Sequence, residues 1–181
     1  MASKSKARID AFFIRGFGQP FLISLFVAYL YMLWDVAQWI QQYYYVLLAC
    51  FTIAGLFWFR HKKVFIIALL LTALIAPMAK QAFAEERPCA GQASCPQSEG
   101  FPSAHTASAA VFAFAAIGST SFPFFLVAAL VIGGSRVGLG VHTVPQVIAG
   151  FALGALIYCI VWSIAYKLKG EEVAVRHGLM D

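Results

Sequence analysis

The sequence predicts an all-α fold, an integral membrane bundle of six transmembrane helices. The 181 residues are 61% hydrophobic and only 12% charged, with a mean hydropathy of +0.79. This balance is typical of a membrane protein rather than a soluble domain. Six apolar runs and a one-sided distribution of basic residues define the bundle, and the chain length indicates one domain over residues 1–181.

The apolar runs give the helices in order. They cover about Phe17–Trp34, Tyr43–Phe59, Val64–Ala79, Ser103–Ile117, Phe122–Gly134 and Val144–Tyr166. A helix needs about 20 residues to cross about 30 Å of hydrocarbon, so the fourth and fifth runs are short. We expect these two helices to pack inside the bundle and to open at one end into a polar pocket.

The basic residues predict the orientation of the bundle. Ten of the thirteen Lys and Arg side chains flank the first, second, third and sixth runs: Lys4, Lys6, Arg8, Arg15, Arg60, Lys62, Lys63, Lys167, Lys169 and Arg176. With six spans these segments share one side, which the positive-inside rule identifies as cytoplasmic. The N-terminus (1–16) and the tail (167–181) are therefore predicted to be cytoplasmic. The net charge of +5 then reflects membrane orientation and not nucleic-acid binding.

The three remaining cations lie on the opposite side, in the long extracytoplasmic loop 80–102 and the segment SRVGLGVHTVPQ. They are Lys80, Arg87 and Arg136, with His105 and His142 nearby in the sequence. Arg offers a planar fork to two phosphate oxygens, and Lys offers a compact charge. The sequence therefore predicts that the two loops meet around a phosphate or phosphate ester.

Helix-start signals place both histidines near this site. Ser103 is a good N-cap for the fourth helix, and His105 falls in its first turn, where free N–H groups and the positive end of the dipole favour an anion. Thr143 can cap the sixth helix, and Pro145 suits its first turn.

Three motifs resemble the signatures of the type 2 phosphatidic acid phosphatase (PAP2) superfamily. They are K-x6-R-P from Lys80 to Pro88, P-S-x-H from Pro102 to His105, and S-R-x5-H from Ser135 to His142. The order and spacing agree over roughly residues 64–160. The resemblance implies a phosphatase that needs no metal or cofactor, with His142 as the nucleophile and His105 as the general acid. It also implies a set of groups that hold phosphate oxygens: Lys80, Arg87, Ser103, Ala104, Ser135 and Arg136.

Gln146 departs from the family pattern, which usually has Asp four residues after the nucleophilic histidine. Its carbonyl can still accept the Nδ1–H of His142 and fix the tautomer. It lacks the negative charge, so we expect His142 to be less basic. HTVPQV resembles the variant of glucose-6-phosphatases and dolichyl-diphosphate phosphatases, and RPC with the loop to FPSAH resembles the latter branch. This favours a polyprenyl diphosphate, hydrolysed to the monophosphate on the extracytoplasmic or lumenal face.

Other functions remain open at this point. A phospholipid phosphatase, acting on phosphatidate or phosphatidylglycerol phosphate, and a lipid phosphotransferase would use the same residues. An inactive relative that binds or moves phosphorylated lipids is the non-enzyme alternative. In each case the partners are the bilayer and a membrane lipid, and the oligomeric state is undetermined.

The acidic and cysteine residues are interpreted by position. Glu85 and Glu86 are expected to balance Lys80 and Arg87 or to face solvent. Cys89 and Cys95 share the outer loop, where an oxidising compartment permits a disulfide. The chain shows no carboxylate set and no Cys/His cluster with metal-ligand spacing, so no metal site is expected.

Overall fold

The computed structural model describes residues 20–93 and 95–176, with side chains for 24–93 and 95–169. Within this part, the chain is all-helical. The five helices are α1 (Pro20–Trp58), α2 (Lys62–Phe83), α3 (Ala104–Ala115), α4 (Phe122–Gly138) and α5 (Val144–Arg176). The predicted cytoplasmic N-terminus (1–16), the last residues of the tail (177–181) and the side chain of Arg176 lie outside the described parts.

The predicted separation of the first two helices is not found. From Pro20 to Trp58, both runs belong to the single 39-residue helix α1, which is interrupted only at Tyr43 (φ −105°, ψ 15°). The connecting residues DVAQWIQQY contain neither Gly nor Pro and include Ala and Gln, which favour helix. The described residues therefore form five helices rather than six. The chain divides into two units, Met1–Val36 and Ala37–Asp181, and the residues of the candidate site described below all belong to the second.

Among the described residues, three segments are long and apolar enough to cross a membrane: Ser24–Trp58, Lys62–Phe83 and Val144–Lys169. Large apolar side chains on them are exposed, as at Leu70 (66%) and Leu74 (61%). A bilayer covers such surfaces, and the protein is an integral membrane protein.

Of the two short helices, only α3 occupies an interior position. Helix α4 has 17 residues, of which six are buried, and its Val127 and Leu130 are 58% and 63% exposed. The expectation of interior packing is therefore wrong for α4, whose outer face is apolar. Helix α3 has 12 residues, of which eight are buried. The short length and the burial of α3 agree with the expectation of a helix packed inside the bundle.

Two glycines of α5 hold this helix tightly against α3. A Cβ atom at Gly150 would overlap the carbonyl oxygen of Ser103, and one at Gly154 would overlap that of Ala107. The spacing of four residues places both on one face of α5, as in small-xxx-small membrane packing. The Ser103 N–H also donates to the Gln146 carbonyl at 3.0 Å. The N-termini of α3 and α5 are therefore fixed side by side.

An aromatic cluster packs at the N-terminal end of α2. The ring centroids of Phe59 and Phe65 lie 4.8 Å apart, and Phe65 lies 5.1 Å from Phe112. Lys80 lies fifteen positions after Phe65 in the same helix, which is about 22 Å at 1.5 Å per residue. The cluster thus anchors the bundle far from the loops 84–103 and 139–143, which meet at the opposite end.

Candidate active site

The structure brings together the five side chains that the sequence singled out. Lys80 lies in the last turn of α2, Arg87 in the following loop, and His105 at the second position of α3. Arg136 lies in the last turn of α4, and His142 lies in the loop between α4 and α5. Lys80, Arg87, Arg136 and His142 are 9% exposed or less. His105 interacts electrostatically with all four of the others. One cluster therefore contains three cations and two imidazoles.

The tautomer of His142 follows from its two neighbours. Arg87 Nη1 lies 3.0 Å from His142 Nε2. A guanidinium has only donors, so Nε2 is the acceptor and carries a lone pair. The proton is then on Nδ1, which lies 3.1 Å from Gln146 Oε1 and donates to it. His142 is thus neutral, with its unprotonated nitrogen directed at the cation cluster.

Gln146 performs two structural roles at once. Its backbone N–H donates to Thr143 Oγ1 at 3.3 Å, and the Thr143 N–H donates to Gln146 Oε1 at 3.1 Å. This reciprocal pair is a capping box, for which T-x-x-Q is the sequence signature. The predicted cap by Thr143 is therefore found, and the same Gln oxygen that completes it also accepts from His142.

The three cations donate to uncharged acceptors. Arg87 donates to the Ser98 carbonyl (2.6 Å), the Ser98 hydroxyl (3.0 Å) and the Val141 carbonyl (3.0 Å). Lys80 donates to the Glu99 carbonyl. The Glu99 carboxylate acts on Lys80 and Arg87 only as a nearby charge. The cluster therefore keeps a strong positive charge, which suits a phosphate.

Arg136 is the most deeply buried of the cations. Its side chain is 1% exposed, and its Nη1 donates to Gln41 Oε1 of α1. Its Nε is buried without a hydrogen-bond partner among the described residues. A buried donor without a partner costs about 1–3 kcal/mol, so an anion that accepts from this guanidinium would be stabilised here.

The environment of His142 keeps its imidazole neutral. Burial, followed by the positive charge of Arg87, lowers the pKa of His142 to about 3. The hydrogen bond to Gln146 acts in the opposite direction. Burial and Arg87, rather than the uncharged amide, therefore keep His142 neutral.

His105 is held between a helix terminus and an aromatic ring. Its ring centroid lies 3.7 Å from that of Tyr44, whose hydroxyl donates to the His105 carbonyl at 3.4 Å. Ala104 and His105 are the first residues of α3, so their N–H groups have no acceptor within the helix. These N–H groups can point at an anion beside the imidazole.

The serine residues differ from the sequence expectation. Ser103 is the N-cap residue of α3 but makes no capping hydrogen bond; its hydroxyl accepts from Thr106 at 3.0 Å instead. The hydroxyl of Ser135 donates to the Ile132 carbonyl at 2.7 Å. The Ser135 hydroxyl has thus used its donor within α4, whereas the Ser103 hydroxyl accepts from Thr106 and keeps its own O–H for a phosphate oxygen.

The turn after α4 sets the distance between Arg136 and His142. Gly140 has φ +66°, a left-handed conformation that favours glycine at a helix C-terminus. The N–H groups of Val141 and His142 then both donate to the Arg136 carbonyl at 3.2 Å.

In the loop between α2 and α3, a disulfide joins Cys89 to Cys95 and closes the segment that follows Arg87.

Sequence reasoning missed several residues of the site. Gln41 and Tyr44 come from α1, and only their polar or aromatic character within an apolar run could have indicated them. The T-x-x-Q pattern could have predicted the side-chain contact of Gln146 with Thr143.

Among residues 24–93 and 95–169, no group of three His, Cys, Asp or Glu side chains is arranged to hold a metal ion.

Comparison with known proteins gives a family and a fold. The family model described as the PAP2 superfamily matches residues 62–169, more than half of the chain. A PAP2-type phosphatidylglycerolphosphate phosphatase from Bacillus subtilis is 22% identical, with a TM-score of 0.55 over 92% of this chain and 86% of that one. LpxE from Aquifex aeolicus is 21% identical, with a TM-score of 0.53 over 77% of this chain and 86% of that one. These similarities show a shared fold. No curated protein matches the chain significantly.

Proposed function

Because the chain belongs to the PAP2 superfamily and is a phosphatase of that type, we propose that it is a metal-independent lipid phosphatase. Its substrate is a membrane polyprenyl diphosphate, of the dolichyl or undecaprenyl type, which it hydrolyses to the monophosphate. The observation that carries this proposal is the buried, neutral His142, whose Nε2 lone pair faces a cluster of cations that donate to uncharged acceptors.

In the first step, His142 Nε2 attacks the terminal phosphorus. The N–P bond forms as the bond to the bridging oxygen breaks, and the electron pair goes to that oxygen. His105 donates a proton to the leaving polyprenyl monophosphate. A phosphohistidine results. The negative charge of the bound diphosphate favours the protonated form of His105 that this step needs.

In the second step, water attacks the phosphohistidine. His105 accepts a proton from the water, the N–P bond breaks, and its electron pair returns to Nε2. Inorganic phosphate leaves, and both histidines regain their starting protonation states. A lipid alcohol in place of water would give phosphotransfer instead.

The cations supply the charge stabilisation that phosphoryl transfer requires. Without substrate, Arg87 Nη1 donates to His142 Nε2 at 3.0 Å. When substrate binds, Arg87 Nη1 donates to a phosphoryl oxygen instead, and the Nε2 lone pair becomes free to attack phosphorus. Arg136 and Lys80 hold other non-bridging oxygens together with the N–H groups of Ala104 and His105. Charge neutralisation by side chains thus takes the place that a metal ion has in many phosphoryl-transfer enzymes.

An apolar rim beside the site supports a lipid substrate. Phe83, at the end of α2, is 65% exposed, and its ring centroid lies 4.8 Å from that of Phe101 in the loop before α3. Val144, at the start of α5, is 53% exposed. An apolar chain can leave the site over these side chains while its phosphate stays among the cations.

A substrate panel tests the proposal. The purified protein is assayed in EDTA with polyprenyl diphosphates, phosphatidate and phosphatidylglycerol phosphate. We expect the highest kcat/KM for a polyprenyl diphosphate and complete loss of phosphate release in His142→Ala. The matched control is His61→Ala, which changes a histidine beside Trp162, far from the loops of the site, and should retain activity.

The outcomes separate substrate from mechanism. A preference for phosphatidate or phosphatidylglycerol phosphate would show that the proposed substrate class is wrong, while the proposed phosphatase mechanism would stand. Activity that requires Mg²⁺, or that survives His142→Ala, would overturn the mechanism. Failure of every substrate, with phosphorylated lipids still bound, would favour the inactive relative.

The proposed side of the membrane is tested separately. In a Cys50→Ser, Cys159→Ser background, Gln97→Cys in the site loop should react with a membrane-impermeant thiol reagent added to intact cells or sealed lumen-out vesicles. Arg60→Cys, at the other end of α2, should react only after permeabilisation. The reverse pattern would place the site on the cytoplasmic face.

A further inference from the structure

We propose that Glu85 is a positioning residue for His142 and acts on it through Gln146. Glu85 lies in the loop after α2, and its Oε1 accepts a hydrogen bond from Gln146 Nε2 at 2.8 Å. A chain of hydrogen bonds therefore runs from the imidazole through the amide to a carboxylate. This inference deepens the proposed function and rests on it, since it takes His142 as the nucleophile.

The hydrogen bonds of the Gln146 amide leave it only one orientation. Oε1 accepts from His142 Nδ1 and from the Thr143 N–H, both at 3.1 Å. Nε2 donates to Glu85 Oε1 and to the Glu86 carbonyl at 3.1 Å. An amide offers two donors and two acceptor sites, so all four are used. If the amide were rotated by 180°, its NH₂ group would face the N–H donors of His142 and Thr143. Its oxygen would face Glu85 Oε1 and the Glu86 carbonyl oxygen.

The burial of Gln146 makes this arrangement costly to disturb. Its side chain is 0% exposed, so water cannot readily replace a lost partner, and an unsatisfied buried group is destabilising. Glu85 itself is exposed at the surface of the loop. One of its oxygens nevertheless reaches inward to the amide, so that a surface carboxylate ends a buried network.

The loop backbone holds Glu85 at this position. The Gly100 N–H donates to the Glu85 carbonyl at 2.6 Å. A Cβ atom at Gly100 would lie 2.5 Å from Gln146 Nε2 and 2.9 Å from the Glu86 carbonyl oxygen. Glycine at position 100 thus lets two loop segments close around the amide.

The charge of Glu85 gives the network a chemical role. A hydrogen bond to a carboxylate is stronger than one to a neutral oxygen, and hydrogen-bond chains polarise one another. The carboxylate therefore makes Gln146 Oε1 a better acceptor for the Nδ1 proton. As His142 Nε2 bonds to phosphorus, positive charge develops on the ring, and this acceptor stabilises it. Gln146 and Glu85 together supply what a directly bonded Asp supplies in the usual family pattern.

Single substitutions give the first test, with kcat and KM measured separately. Glu85→Ala and Glu85→Gln should lower kcat about 10-fold, with little change in KM; this is the lower end of the effect of removing a group that orients a metal-binding histidine. Glu86→Gln is the matched control: it removes the same charge from the neighbouring residue but keeps the main-chain carbonyl that Gln146 uses. An equal loss in Glu86→Gln would show that only the loop charge matters and would overturn the proposal.

An exchange of the two side chains gives the sharper test. Gln146→Glu alone places two carboxylates side by side and should abolish activity. Adding Glu85→Gln restores one donor between them, so the double variant should recover part of the activity. Recovery is incomplete because one carboxylate oxygen still faces the Glu86 carbonyl. A double variant no better than Gln146→Glu alone would contradict the proposal.

The pH profile of the Glu85→Gln, Gln146→Glu double variant distinguishes an electrostatic effect on His142 from a purely structural role. A purely structural role would leave the profile unchanged. The double variant places a carboxylate directly on Nδ1, so the acidic limb of kcat/KM should shift to higher pH than in the wild type. The other charged or titratable groups that face His142 are the same in both proteins: Arg87 of the loop, Lys80 of α2, Arg136 of α4 and His105 of α3. An unshifted acidic limb in an active double variant would count against the relay.

A measurement without turnover separates this inference from the proposed function. The ¹⁵N chemical shifts of His142 in the detergent-solubilised protein report which ring nitrogen carries the proton. Arg87 keeps Nε2 unprotonated in every variant, so we expect the Nδ1–H form throughout, and the ¹H shift of that proton then reports the strength of its hydrogen bond to Gln146. The proton should lie further downfield in the wild type and in Glu86→Gln than in Glu85→Ala, whose Gln146 is the weaker acceptor. An unchanged shift in Glu85→Ala would overturn the positioning role even if the enzyme hydrolyses lipid phosphates. The expected upfield shift would support it even if the substrate class is wrong.

Discussion

At the scale of single residues, the site depends on a neutral histidine in a strongly positive environment. Nothing near His142 among the described residues carries a negative charge in direct contact with it; its partners are a guanidinium and an amide. The sequence could predict the uncharged partner, because Gln146 follows His142 at a fixed spacing. It did not predict that the Gln146 amide also accepts from the Thr143 N–H. It could not predict the contact between Gln146 and Glu85, because these two residues lie 61 positions apart in the sequence.

The low pKa of His142 predicts how stability depends on pH. An unfolded histidine titrates near 6.5, whereas burial and Arg87 lower the pKa of folded His142 to about 3. Between these values only the unfolded state binds the proton, so stability falls as the pH falls below 6.5. The slope from this residue is at most about 1.4 kcal/mol per pH unit.

Thermal unfolding of wild type and His142→Asn in detergent checks this dependence. The Tm of the wild type should drop more steeply from pH 6.5 to pH 4.5 than that of the variant, which lacks the titrating ring. His105 is present in both proteins and its effect cancels to first order. Parallel curves would show that His142 is not held neutral by its surroundings.

At the scale of helices, the close contact between α3 and α5 positions the helix N-termini at the candidate site. Gly154→Ala would push a methyl group into the Ala107 carbonyl, which belongs to the helix backbone and cannot move aside. We expect a loss of about 2 kcal/mol, as for other overpacked contacts, and a lower kcat because the N-terminus of α5 carries Gln146.

Gly134→Ala is the matched control for this substitution. Gly134 lies within α4, and a Cβ atom there meets nothing within 4 Å, so the change should be neutral or stabilising by up to about 1 kcal/mol from helix propensity. Tm and phosphate release are measured for both variants. Equal Tm values would show that the glycines of α5 do not hold the two helices together.

The helices also show where sequence reasoning is strong. Helices α2 to α5 begin within about two residues of the predicted starts, because charge, caps or proline mark each one. Helix α1 was divided wrongly, since its interruption at Tyr43 has no Gly or Pro to signal it. The ends of α2 and α5 extend past their apolar runs, because polar residues such as Lys80 and Lys167 continue a helix that nothing stops.

At the scale of the whole molecule, two segments distant in sequence form one site because the helices between them are antiparallel. Loops 84–103 and 139–143 meet at one end of the bundle, and the aromatic cluster around Phe65 closes the other. The sequence predicted this meeting from the side on which three cations lie. The fold adds Gln41 and Tyr44 of α1, whose contacts with Arg136 and His105 depend on tertiary packing alone.

Detection of the covalent intermediate tests the central claim most directly. The purified protein is mixed with a polyprenyl diphosphate in EDTA, quenched in alkali within one turnover, and analysed by mass spectrometry of its peptides. The mechanism predicts a phosphoryl group on His142, absent in His142→Ala. Phosphate release at the normal rate with no phosphorylated His142, or with the phosphoryl group on another residue, would contradict it.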